Sequence, residues 1–523
     1  MNLVTIIIVL YFIVMILIGL WVRKLGVAET AEGYLLGGRM IGPVVTAFTL
    51  QSTSMSGYMF LGAGSETYNT GYWGLWYAIG DVGGGITNLS IIGRRMRRLS
   101  KILGSLTSIE YLEHRYQHTS VRAIAAAISI FFMALYVFAQ FISAGKGLAL
   151  VTGLDYKIAL IFAVACIIFY TVMGGYFAVA YTDFIQGCIM IFGIQLILWT
   201  SIGKMGGFTA MNHLLAKIDP TYLSIWGKDL IHFGQWGVVA GAVGVFAIGY
   251  MGWPHVVVRH LAMDSPYTAR IAGIWSTAFN LMFVVPPYVV GLAAIVLLPQ
   301  LYDPEMAIFE TAILLLHPVM VGIVMAGILA AIMSTADSLL LQTGSIAARD
   351  IFQRFIKPDI SEKGFVAVSR GMVLLAGIVG VIVAIYSPPG VFALVVFATG
   401  VLGNAFMPSY IGAVYWKRAN WQGCVASMLM GAISNTLWTT RGWQDITGLH
   451  PFFAGLILST ITYVVVSLLF PPPSLEIQEA VDQAQRIGLV PEVLERGAAL
   501  EMRVEAKHVA EFIKERRQLQ PGW

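Results

Sequence analysis

A chain of 523 residues that is 58% hydrophobic and only 11% charged, with 55 glycines and 13 tryptophans, is not a soluble globular domain. Its net charge of +4 is too small to mark a nucleic-acid binder. The three cysteines, Cys166, Cys188 and Cys424, lie in or beside apolar runs, so neither a disulfide framework nor a CxxC metal pair is present.

Apolar runs of ~20 residues, enough to cross a ~30 Å hydrocarbon core, recur near 3–22, 40–63, 73–93, 123–152, 157–174, 182–203, 234–257, 270–299, 318–348, 364–386, 391–415, 421–439 and 451–470. They predict an all-α polytopic membrane protein with about 13 transmembrane helices within residues 1–470. The first run has no basic residue before it and no small-residue cleavage site, and Arg23 and Lys24 follow it. It reads as a retained anchor with the N-terminus outside. Under that topology positive charge gathers in the inner loops, with Arg94, Arg95, Arg97, Arg98 and Lys101 in one and Arg259 and Arg270 in another. The outer loops hold only Lys157, Lys204, Lys217, Lys228 and Arg441, the bias expected of a plasma-membrane protein with a cytoplasmic C-terminus.

The second span is interrupted at Gln51-Ser52-Thr53-Ser54-Met55-Ser56-Gly57-Tyr58-Met59, and the seventh at Ala247-Ile248-Gly249-Tyr250-Met251-Gly252-Trp253-Pro254-His255. Half-helix ends in such broken spans offer carbonyls to a cation and N–H groups to an anionic substrate group. With the first span set aside, these are the opening helices of two five-helix halves, the inverted-repeat plan of secondary transporters. The third span carries an acidic residue, Asp81. It reads as a cation or proton group, a contact for a substrate amine, or a structural partner for a neighbouring helix.

In the ninth span Ala331, Ser334, Thr335 and Ser338 stand at i, i+3, i+4 and i+7 and share one helical stripe, with Asp337 on its flank. An unpaired carboxylate at that depth is costly, which makes a bound cation the leading reading. The other reading has the hydroxyls bonding back to their own helix. After Pro471-Pro472-Pro473 the tail, residues 471–523, turns charged and helix-prone and reads as a cytoplasmic segment. Gly145-Lys146 and Gly203-Lys204 lack the spacing of a P-loop, and HExxH and GxSxG are absent, so nothing signals an enzyme or ATP coupling.

Several passages in this order resemble the sodium/solute symporters, most of all the sodium/proline branch, over residues 3 to 470. They are Leu36-Gly37-Gly38-Arg39, Met55-Ser56-Gly57, Gly145-Lys146, the run Met173-Gly174-Gly175 to Thr182-Asp183-Phe184-Ile185-Gln186-Gly187, Gly249-Tyr250, Pro254-His255 and Ala330 to Thr335. The resemblance implies a LeuT-type inverted repeat of five plus five helices with extra helices. It also implies a sodium site of the Ser52, Met55 and Ala331 carbonyls with the Ser334 and Thr335 hydroxyls. A second sodium, bound in some relatives, would fall at Asp183, Ser334, Asp337 and Ser338. Two carboxylates there are more negative charge than one sodium neutralises, and Asp183 otherwise reads as a helix N-cap after Gly174-Gly175.

Substrate positions implied by the same resemblance are Ser56, Gly57, Tyr136, Phe246, Tyr250 and Pro254, an apolar and aromatic pocket suited to a small amphipathic solute. Arg39 belongs to the motif before the second span, and Lys146 and His255 are read as structural. Two departures stand out: Ser54 replaces an aspartate of the proline branch, and Phe246 a tryptophan. The sequence thus predicts a sodium-coupled symporter importing a small organic solute, proline or another neutral or zwitterionic amino-acid-like compound, by alternating access in a bacterial inner membrane. Its partners would be the solute, sodium and the lipid bilayer. Proton-coupled uptake and a transporter-like membrane sensor are the alternatives.

Overall fold

The structure, a computed structural model, describes residues 3–386 and 390–486. Among the described residues it is built of helices, with one isolated bridge between Ile41 and Met263. After α1 (Leu3–Lys24), α2 (Pro43–Ser54) opens on Pro43, whose fixed φ and missing N–H suit the first helical position. It ends where Met55 leaves the helical region at φ −89°, ψ 71°. The chain resumes as a π-helical turn over Tyr58–Ala63 and as α3 (Gly64–Thr70). Next come α4 (Leu75–Asn88), α5 (Arg94–Ile102) and α6 (Ser108–Tyr116), the last capped by the Thr107 side chain on the Glu110 N–H.

The long helices α7 (Thr119–Thr152) and α8 (Tyr156–Met205) follow. The expected break between spans 157–174 and 182–203 falls inside α8 at Gly175, at φ 57°, ψ −152°. A Cβ there would stand 2.7 Å from the Tyr34 carbonyl oxygen. Gly175→Ala therefore meets a left-handed backbone and a backbone clash, and we expect it to cost on the order of 2 kcal/mol or more, read as a fall of the melting temperature in detergent. Gly203→Ala, with open space at its Cβ position, is the control and should leave the melting temperature unchanged.

The second broken span repeats the plan of the first. Helix α9 (Trp236–Ala247) ends at Ile248, a 3-10 turn covers Gly249–Gly252, and α10 (Pro254–Ala262) again opens on a proline. The Ile41 N–H donates to the Ala262 carbonyl (3.4 Å) and the Asp264 N–H to the Ile41 carbonyl (3.1 Å), which joins the start of α2 to the end of α10. The remaining elements are α11 (Thr268–Phe283), α12 (Val285–Leu297), α13 (Pro318–Ile346) with a π-helical extension over Ala347–Ile356, α14 (Glu362–Tyr386), α15 (Val391–Tyr415), α16 (Trp421–Thr440), α17 (Pro451–Leu469) and α18 (Leu475–Gln485). Helix α13 is buried without interruption from Val324 to Ile346 and packs on α1, α2, α7, α8 and α14. A helix enclosed on all sides carries polar residues only where they find partners, so its hydroxyl stripe must meet something.

Eight helical stretches among the described residues are long and apolar enough to cross a membrane. The expected spans 40–63 and 234–257 are each divided by their breaks into shorter helices. Arg39, Arg97, Arg98, Arg115, Arg122 and Arg259 are all buried. Apart from Arg259, whose partners are described below, their guanidiniums satisfy carbonyls and carboxylates near helix ends. Arg39 donates to the Ser105 (2.7 Å) and Leu261 (3.0 Å) carbonyls and to Glu32 (2.7 Å). Arg122 pairs with Glu113 and Asp350 (both 2.7 Å), and Arg349 with Glu110 (2.9 Å), locking α6 to the extension of α13. Burial pushes the Glu110 carboxyl up, but Arg349, Arg122 and the Leu106 N–H outweigh it and hold the group below the usual carboxylate range. Its contribution is thus complete above an ordinary carboxyl pKa of about 4.3 and is lost only as pH falls through the depressed value.

Helix α18 docks on α5 and α15, with Gln485 donating to the Val414 carbonyl (2.8 Å) and Lys417 paired to Asp482 (2.6 Å). The rest of the expected tail, residues 487–523, lies outside the described residues.

Candidate functional site

The C-terminal end of α2 meets the hydroxyl stripe of α13. Ser334 Oγ donates to the Ser52 carbonyl (2.9 Å) and Thr335 Oγ1 to the Thr53 carbonyl (2.7 Å). The two hydroxyls also lie 3.1 and 3.3 Å from the Ala331 carbonyl. Ser52, Ala331, Ser334 and Thr335 are thus brought together, Met55 is buried as the residue that closes α2, and the Thr53 carbonyl joins them. All these oxygens are neutral, and the free carbonyls at a helix C-terminus carry its negative dipole end. Such a set suits a hard monovalent cation, the hydroxyls turning their lone pairs to it in place of the carbonyl bonds. Ser54, where the proline branch has an aspartate, donates back to the Leu50 carbonyl (2.6 Å) and stays in its own helix.

A second polar cluster lies one turn further along α13. Asp183 Oδ2 accepts from Thr49 Oγ1 (2.5 Å) and Thr53 Oγ1 (3.2 Å). Asp183 thus bonds to side chains of α2 and not to the start of its own helix, which corrects the N-cap reading. Arg259 Nη2, from α10, stands 3.5 Å from the same carboxylate oxygen and donates to Thr53 Oγ1 (2.6 Å) and to Ser338 Oγ. Asp337, beside Ser338 on α13, accepts from the Tyr170 hydroxyl (2.8 Å). The Oδ1 atoms of both Asp183 and Asp337 are buried without a hydrogen-bond partner. Arg259 was legible as a charge but not as a partner, because its neighbours come from three other helices.

The six substrate positions cluster around the two breaks and are all buried. The Gly57 N–H donates to Gln140 Oε1 (2.9 Å), and a Cβ at Gly57 would stand 2.8 Å from Ile332. The Tyr58 ring lies parallel to Phe246 with centroids 5.1 Å apart, and Tyr250 meets Trp253 edge-on at 4.4 Å. Tyr136 packs against His255 (5.7 Å), and Pro254 starts α10 beneath them. Sequence reading missed Tyr58, Tyr77, Trp253 and Phe392. Only Tyr58 and Trp253 carried a signal, as aromatics inside the breaks. Asp81 accepts hydrogen bonds from the Tyr58 and Tyr250 hydroxyls and so ties one break to the other. Lys146 pairs with Glu305 (2.6 Å) and Asp303 (3.2 Å), and Glu305 also accepts from the Val391 N–H, a structural tie between α7 and the start of α15.

The osmoregulated proline transporter OpuE of Bacillus subtilis (strain 168) is 30% identical over 476 residues, which cover 89% of this chain and 94% of that protein. A sodium/proline symporter of Staphylococcus aureus (strain bovine RF122 / ET3-1) is 32% identical over 502 residues, covering 92% and 96%. Among solved structures, a Na+-coupled sialic acid symporter in a substrate-bound outward-open state superposes with a TM-score of 0.75 at 22% identity, over 91% of this chain and 99% of that one. Mhp1, a nucleobase-cation-symport-1 family transporter, superposes with a TM-score of 0.52 at 16% identity, over 86% and 98%. The fold is that of the LeuT-like transporters. The profile of the sodium:solute symporter family matches residues 34–431, and this chain belongs to that family.

Proposed function

We propose that the protein imports proline or a closely related zwitterionic solute with sodium, by alternating access in a bacterial inner membrane. The observation that carries the sodium part is the meeting of the Ser334 and Thr335 hydroxyls with the carbonyls at the broken end of α2 (2.9 and 2.7 Å). A cation held there bridges α2 to α13, and an ion that binds one arrangement of two helices better than another shifts the population toward it. The proline part rests on what the OpuE and Staphylococcus relatives are named for, and on the aromatic cluster at both breaks. In this reading thirteen spans place the N-terminus outside, and residues 471–523 form a cytoplasmic tail.

A second sodium fits the neighbouring cluster. Asp183, Asp337 and Arg259 together leave one negative charge, which a single sodium neutralises, and the two unpaired Oδ1 atoms supply it with acceptors. The test is uptake of radiolabelled proline into proteoliposomes under an inward sodium gradient, an inward proton gradient, or neither. The sodium gradient alone should drive accumulation. Accumulation under the proton gradient without sodium would move the coupling to Asp81, Asp183 or Asp337. Saturable proline binding without flux under any gradient would favour a sensor, whose output would then depend on residues 474–523.

A further inference from the structure

The aromatic cluster at the two breaks contains a charge that the proposed sodium sites do not use. Asp81 is fully buried on α4, and both of its side-chain partners are neutral phenols, Tyr58 from the first break and Tyr250 from the second. Its backbone carbonyl accepts from Asn280 Nδ2 (2.9 Å), which fixes α4 against α11. A carboxylate enclosed in this way is costly unless a positive charge or a proton joins it.

The surroundings indicate which. Tyr58 and Tyr250 reach Asp81 with their hydroxyls, Tyr58 lies parallel to Phe246 at 5.1 Å, and Tyr77 meets Phe246 at 6.0 Å and Phe392 at 5.2 Å, so the carboxylate stands at the edge of an aromatic cluster. The Tyr288 hydroxyl is buried without a hydrogen-bond partner and lies within electrostatic reach of Asp81. A bare sodium ion needs a full shell of oxygens, which two carboxylate oxygens and a few phenols supply poorly. A proton would give no reason for the rings. An organic ammonium uses both features, since the carboxylate neutralises it and the neighbouring aromatic cluster favours a cation over a neutral group.

We infer that Asp81 is the subsite for the cationic amine of the transported solute. This rests on the importer reading above and narrows its substrate class to amino-acid zwitterions and betaines, as against sugars or simple carboxylates. Because the two phenols on Asp81 belong to different broken helices, an ammonium bound there also draws the two breaks toward one arrangement.

The experiment compares isosteric pairs on the full-length protein in sodium. Proline is set against cyclopentanecarboxylate, which has carbon in place of the ring nitrogen, and glycine betaine against 3,3-dimethylbutanoate. Thermal stabilisation and competition with radiolabelled proline uptake are the readouts. The amines should stabilise and compete, and their amine-free counterparts should do neither at ~100-fold higher concentration. Asp81→Asn should raise the half-saturating proline concentration by ~100-fold while stabilisation by sodium alone persists. The inference is overturned if an amine-free isostere competes within a few-fold of its amine, if neither amine stabilises, if Asp81→Asn leaves the proline response unchanged, or if it removes the sodium response as well. The isostere comparison on the wild type decides the matter even if Asp81→Asn fails to fold. Failure of the importer reading looks different: proline binds, but no gradient drives its uptake.

Discussion

Ser334→Ala combined with Thr335→Ala should raise the half-saturating sodium concentration for uptake by ~100-fold or more, taking each hydroxyl as worth about 1.5 kcal/mol to the ion. The two hydroxyls are the only side-chain ligands in the implied set. They meet the Ser52 and Thr53 carbonyls across the contact of α2 with α13. Removing them leaves the carbonyls of the broken helix facing apolar methyls, so the cation loses ligands that no neighbour replaces. Thr335→Ser keeps the oxygen and should retain most of the affinity. Sodium titration of thermal stability separates this loss from a folding defect, since the variant should still unfold cooperatively while its melting temperature no longer rises with sodium.

Arg259→Met should destabilise the protein by about 3–5 kcal/mol, the cost of breaking a buried ion pair from one side. Arg259 is the guanidinium that holds Asp183, Thr53 and Ser338 together, and without it the two carboxylates share the cluster with no fixed positive charge. Arg259→Met with Asp183→Asn removes both members of the pair and should recover more than half of the lost stability, measured as melting temperature in detergent. If Arg259→Met alone melted with the wild type, the guanidinium would have no part in balancing the two carboxylates.

The sites were legible in the sequence to the extent that one helix or one interruption spelled them out. The stripe Ala331, Ser334, Thr335 and Ser338 follows from helical period alone, and α13 presents it to α2 as that period requires. The two breaks were visible because glycine and polar residues interrupt apolar runs, and both halves after the breaks resume as helix. The junction at Gly175 was read as a gap between two spans, yet the chain passes through it within α8, because one glycine at positive φ redirects a helix without a loop.

What remained hidden depended on partners far apart in sequence. Arg259 at the end of an apolar run reads as a loop charge under the positive-inside rule, whereas α10 carries it into the interior to meet Asp183. Asp81 gave no sign of its phenols, since Tyr58 and Tyr250 reach it from different breaks. Ser54 shows the converse. Its hydroxyl lies beside the proposed sodium ligands in sequence but bonds back to Leu50, so position near a candidate site did not make it part of one.

The most direct test of the account is the flux of radiolabelled sodium into proteoliposomes, with and without proline, for the wild type beside Ser334→Ala/Thr335→Ala. Coupling through the contact of α2 with α13 requires that proline accelerate sodium entry in the wild type and not in the double variant. Proline uptake unaccompanied by sodium entry, or proline-stimulated sodium entry that survives loss of both hydroxyls, would contradict it.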